Sequence, residues 1–227
     1  VTVTNTGKVA EEYFIDGRLD QATRYGLTAR SSAKVTVPIP GTTVPPEYFV
    51  PAHTTSITAA ATAPAPIYFD YWWYFGDPDL ISTSPPLARD PTGTFSSAPV
   101  VPGQWFITPY QNGPDGGTAL PPVTAHTTMT ATTMRFDPAL SSPTGDLWRQ
   151  SIDPSAAFAP RILRPGQTAS IPVTIDPTGA PGTTVTGTLF LDDTTLAAGD
   201  TDWLAEGYPP LPTATDVAAF PYRYTIK

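Results

Sequence analysis

The sequence predicts an all-β protein, and three observations carry the prediction. Thr is the commonest residue, followed by Pro (29 residues) and Ala. Thr suits a half-buried pleated surface, and Pro marks turns and edges. Several segments alternate apolar and polar residues with the period of two that a strand with one buried face requires. No stretch longer than a few residues carries the i, i+3, i+4, i+7 repeat of an amphipathic helix. At 227 residues there is room for one large or two smaller domains. Pro, Gly and Asp turns separate the strands at the spacing expected of β-sandwiches.

The elements follow in order. Val1 and Val3 alternate with threonines before a turn at Asn5 to Gly7. A strand at the first residue predicts a piece of a longer protein; a mature protein cleaved before Val1 is the alternative. Tyr13 to Ile15, Val35 to Ile39, Ser56 to Thr58 and Val123 to Thr133 read as further strands. The aromatic run Ile67 to Phe75, as a strand, places Phe69, Tyr71, Trp73 and Phe75 on one face. Tyr68, Asp70, Trp72 and Tyr74 take the other. Gly103 to Tyr110 is a later strand. Ala169, Ile171, Val173 and Ile175 share a face, with Pro172 on the outer set as on an edge strand. Beyond the turn Asp176 to Gly182, alternation resumes at Val185, Gly187, Leu189 and Leu191. The last strand places Phe220, Tyr222, Tyr224 and Ile226 inward.

From about Val35 to Phe136 the turns are longer and Pro-rich, unlike those at either end. The expected organisation is therefore nested. Residues 1–34 and 137–227 form one discontinuous sandwich, and residues 35–136 form a second, inserted between its strands. Tandem domains are the alternative.

Two sets of motifs carry a family resemblance. Val1 to Gly7, Tyr13 to Asp16, Pro165 to Gln167, Pro172 to Ile175 and Gly182 to Leu189 resemble the fibronectin/immunoglobulin-like modules of secreted actinobacterial proteins. Tyr48 to Pro51, Thr55 to Ile57, Gly76 to Leu80 and Trp105 to Tyr110 resemble a pre-peptidase C-terminal jelly-roll domain. Extracellular peptidases of that family carry such a sandwich outside the catalytic domain. The whole chain is similar to the C-terminal region of large subtilisin-like serine peptidases of actinobacteria. The resemblance covers nearly every strand through turn-and-strand patterns. It implies a secreted or cell-surface, non-catalytic accessory region whose partners are the parent's catalytic domain and protein substrate or cell-wall polysaccharide.

Charge removes other classes. The net charge is −8 and the pI near 4.5, with basic residues scattered, so no basic stripe meets phosphates. No apolar run approaches the roughly 18–20 residues of a membrane-spanning helix. Without Cys the chain has no thiolate nucleophile and no Cys-built zinc site.

The search for chemistry yields few candidates. No Gly-x-Ser-x-Gly elbow accompanies His53 or His126, and both read as surface histidines. Ser31 to Lys34 fits Ser-x-x-Lys, but in a loop entering a strand. No catalytic set and no cofactor are expected. Asp77 and Asp79 are weak candidates for calcium, as are Asp192, Asp193, Asp200 and Asp202, because calcium takes six to eight oxygens. Asp77 equally suits a turn whose Pro fixes φ. Trp72 and Tyr74, extended by Trp105 and Tyr110, form a possible platform for sugars or an apolar peptide. The competing expectation is that this strand is buried on both sides or forms a seam between two sandwiches. Trp148 and Trp203 read as plugs over core edges.

Overall fold

The computed structural model describes residues 1–8, 10–20, 24–35, 46–64, 68–74, 92–97, 102–110, 121–156, 159–193 and 215–227. Among them are fifteen β-strands, a 3-10 turn at Pro154–Ala156 and no α-helix. No helix there is long and apolar enough to cross a membrane. All named strand pairs are antiparallel.

The strands form two groups. One takes its strands from before residue 20 and after residue 139. Its main sheet has the order β11 (Arg161–Leu163), β2 (Glu11–Leu19), β14 (Thr184–Asp193), β15 (Thr215–Thr225). Two ribbons belong with it: β1 (Thr2–Thr4) with β12 (Thr168–Ser170), and β10 (Leu140–Ser141) with β13 (Thr174–Ile175). The other group lies between. It has a four-stranded sheet ordered β3 (Tyr25–Val35), β9 (Val123–Thr133), β5 (Thr54–Thr62), β7 (Thr92–Ser97). Beside it is a three-stranded sheet ordered β4 (Glu47–Val50), β8 (Gly103–Tyr110), β6 (Tyr68–Tyr74).

Strand β3 pairs with β9 along its whole length, from Tyr25 opposite Thr133 to Val35 opposite Val123. The inner group therefore begins at Tyr25, ten residues before the boundary read from the sequence. The pairing is driven by matching faces. Leu27 and Ala29 are buried on β3, as are Ala125, Met129 and Ala131 on β9. Their neighbours Thr28 and Thr130 join hydroxyls at 3.0 Å on the exposed face, a favourable cross-strand pair. Ser31 to Lys34 lies within β3 rather than in a loop.

Each group has a core cluster, and β2 serves both. Tyr13 and Ile15 point into a smaller cluster with Val3, Leu147, Leu163, Ile171 and Leu191. Phe14, on the opposite face, joins the larger cluster with Tyr48, Ile57, Trp105, Met129 and Trp148. Strand β2 is thus enclosed on both faces, and Phe14 to Arg18 are all buried. Gly17 lets Leu140 approach closely: a Cβ there would lie 2.8 Å from the end of the Leu140 side chain, which would have to shift.

Two further sequence expectations change. The segment Ala169 to Ile175 is not one strand. It switches from β12 to β13 around Pro172, which lacks the N–H needed to continue a ladder. Ile171 is buried within it, but Ile175 is exposed. On β15, Ile226 is buried just past the strand end while Phe220 is 44% exposed. Tyr222 and Tyr224 are half-buried, and their hydroxyls, not only their rings, are committed. Both donate to Asp137, Tyr222 at 2.7 Å and Tyr224 at 3.1 Å. Asp137 also accepts from the Ala139 amide at 2.9 Å.

Candidate functional site

Strand periodicity builds the site. On β2, the residues alternating with Ile15, Gly17 and Leu19 are Phe14, Asp16 and Arg18, so two charged side chains enter the face that meets the inner group. On β14, Phe190 pairs with Asp16 and Asp192 with Phe14. Asp16 and Asp192 are therefore diagonal neighbours on one face. The third element is the turn between β4 and β5, where His53 adopts φ 58°. That left-handed conformation is uncommon outside Gly, with His among the better tolerated residues. The turn aims the imidazole at both carboxylates.

Arg18, Asp16 and Asp192 are fully buried, and the His53 side chain is 16% exposed. The Arg18 guanidinium forks onto Asp16: Nε donates to Oδ1, and a terminal nitrogen donates to Oδ2 at 2.8 Å. Its remaining donors reach the inner group. They meet the Ala52 carbonyl at 2.9 Å, the Thr133 hydroxyl at 2.9 Å and the Met134 carbonyl. The guanidinium carbon lies 3.5 Å from the centre of the Phe136 ring, within cation–π range. One side chain of the outer sheet thus holds two segments of the inner group through charge-assisted bonds. Two backbone bonds accompany it. The Phe49 amide donates to the Ile152 carbonyl at 3.1 Å, and the Leu19 amide to the Arg135 carbonyl at 3.0 Å.

His53 Nε2 lies 3.9 Å from Asp16 Oδ2 and 3.9 Å from Asp192 Oδ1. Its ring rests 4.2 Å from that of Phe190, centre to centre. Asp16, His53 and Asp192 each offer one ligand atom, all within 4.8 Å of one another. The arrangement can hold a positive charge between two carboxylates. A hollow of about 150 Å³ lies elsewhere, lined by Gly17, Phe136, Asp137, Leu140, Leu147 and Trp148 among others. It is smaller than the several hundred Å³ of a typical ligand pocket.

The sequence-derived candidates are scattered. Trp105 is 2% exposed within the larger core cluster. A stacking platform needs an open indole face, so Trp105 cannot extend one. Its strand β8 pairs with β6, placing Trp105 opposite Trp73 and Tyr110 opposite Tyr68. Of Trp72, Tyr74 and Tyr110 the backbone is described, and the side chains lie outside the described residues, as do Asp77, Asp79, Asp200, Asp202 and Trp203. Trp148 is buried and stacks on Phe14 with ring centres 4.3 Å apart. Asp193 is buried on the β14 face opposite Asp192. His126 is exposed and its Nδ1 lies 2.9 Å from the Ser32 hydroxyl, a cross-strand pair on an open sheet face. His53 differs from the surface residue expected: it closes a buried cluster. The clue was local, in Asp16 and Arg18 alternating inside the apolar strand Tyr13 to Leu19.

No family model, curated protein or solved structure matches the chain.

Proposed function

We propose that this chain is a non-catalytic accessory region of a secreted, subtilisin-like peptidase, in which two β-sandwiches, one nested in the other, stabilise or position the parent or present protein substrate to it. The observation that carries this reading is the commitment of Asp16, Arg18 and His53 to the joint between the two strand groups. A general base or nucleophile works from a cleft that admits substrate. Here a cluster of ionisable groups among the described residues is largely buried, and its Arg18, from the outer sheet, is bonded to backbone carbonyls of the inner group, an arrangement suited to rigidity. The strand and turn motifs resembling peptidase-associated modules supply the parent's class.

Deleting residues 1–227 from the full-length protein tests the role. The expected result is a shortened thermal half-life of peptidase activity, or lost turnover of large protein substrates, while small peptides are still cleaved. Unchanged half-life and unchanged protein turnover would overturn it. Labelling of the isolated chain by a fluorophosphonate would overturn the non-catalytic reading.

A further inference from the structure

We propose that Asp16, His53 and Asp192 form a binding site for a divalent transition-metal ion of the zinc type. The three donors come from three separate segments, β2, the β4–β5 turn and β14, and converge where two strand groups meet. With two sides of the donor triangle at 3.9 Å and the third no longer than 4.8 Å, a point equidistant from all three lies within about 2.5 Å of each. Zinc binds His nitrogen and carboxylate oxygen at about 2.0–2.2 Å, so a contraction of a few tenths of an ångström completes the contacts. Calcium would call for six to eight oxygens; one imidazole and two carboxylates suit zinc or cobalt.

The surroundings favour a cation. Asp16 and Asp192 are both fully buried, and like charges this close repel more strongly when water is excluded. A divalent ion between them reverses the sign of that interaction. Arg18 uses two acceptor positions of Asp16, and a carboxylate has about four. The guanidinium therefore orients Asp16 as an outer-shell partner does. Phe190 holds the imidazole plane from the side, and strand register fixes both carboxylates before any ion arrives. The His53 side is the partly exposed edge through which an ion enters, or the site loads during folding.

The test uses the whole chain, stripped with EDTA and refolded from urea with zinc or cobalt alone. One ion per chain should be retained on dialysis, and cobalt should give the visible bands of a low-coordinate site. Zinc should raise Tm where magnesium and calcium at equal concentration do not. Asp192→Asn and His53→Asn should each weaken binding at least tenfold. Asn suits the φ of position 53, so that variant retains the fold. His126→Asn, at the exposed histidine, should bind as the parent chain does. Failure to retain either metal after refolding would overturn the proposal. So would retention unchanged in Asp192→Asn and His53→Asn, or lost in His126→Asn.

Discussion

Replacing Arg18 by Met removes the guanidinium while keeping a chain that fills much of the same space. Asp16 then remains in a fully buried position without the fork that holds it. The Ala52 carbonyl and Thr133 hydroxyl also lose their bonds to Arg18. Removing one partner of a buried ion pair costs about 3–5 kcal/mol, because the remaining charge is left in a dry site. That cost is a large share of the roughly 5–15 kcal/mol that stabilises a typical fold. For a chain of this size each kcal/mol moves Tm by about 2–4 °C, so a fall of about 6–20 °C is expected. Guanidinium chloride unfolding followed by circular dichroism, in EDTA, measures the loss of free energy, and a thermal scan the fall in Tm, without any contribution from metal. The double variant Asp16→Leu/Arg18→Met should recover at least about 1 kcal/mol of the loss, since the carboxylate that Arg18 held is removed with it. A loss below about 1 kcal/mol in Arg18→Met with an unchanged denaturant slope would refute the reasoning.

Stability should fall at alkaline pH. Burial, then the hydrogen bond to Asp137, raises the Tyr222 pKa; burial, then the Asp137 charge, pushes Tyr224 up to about 12. Tyr13 is raised by burial and by its bond to Glu11. A folded pKa above the ordinary 10 means that the stabilisation is complete below pH 10 and is lost as pH climbs from 10 towards 12. A Tm series over that range should show the fall, and Asp137→Asn should make it shallower. Gly187→Ala places a Cβ 2.6 Å from the Arg18 carbonyl oxygen, and also against the Tyr222 hydroxyl. Because one of these contacts is backbone and cannot swing away, the expected cost is about 1–3 kcal/mol by chemical denaturation. Trp105→Ala should lose about 3–5 kcal/mol as a core truncation and leave any retention on polysaccharide columns unchanged.

Much of the strand pattern is legible in the sequence because it is local. Val185 to Leu191 alternates on the page and forms β14, and Val123 to Thr133 forms β9. The same rule misplaces Phe220, whose alternation with Pro221 and Arg223 says which residues share a face but not which face is covered. Strand β15 lies at the edge of its sheet, and its tyrosines reach Asp137 across the chain, a contact that no local period encodes. The joint was half visible. Charged residues at Asp16 and Arg18 inside Tyr13 to Leu19 signal a face that meets polar partners. Nothing near them names His53 or Asp192, because a turn with positive φ and the β2–β14 register bring those residues in. His53 reads as a surface residue from Pro51 to Thr54 alone, since burial there depends on strands far along the chain.

Native-state hydrogen exchange tests most directly the claim that this buried joint makes the two strand groups one rigid unit. The amides to follow are Phe49 and Leu19, which bond to Ile152 and Arg135, against those in the middle of β9 and β14. Exchange of Phe49 and Leu19 with the same opening free energy as the strand centres is the predicted result. Exchange at those two amides several kcal/mol easier than in both sheets would mean that the groups separate while each stays folded, and would contradict the account.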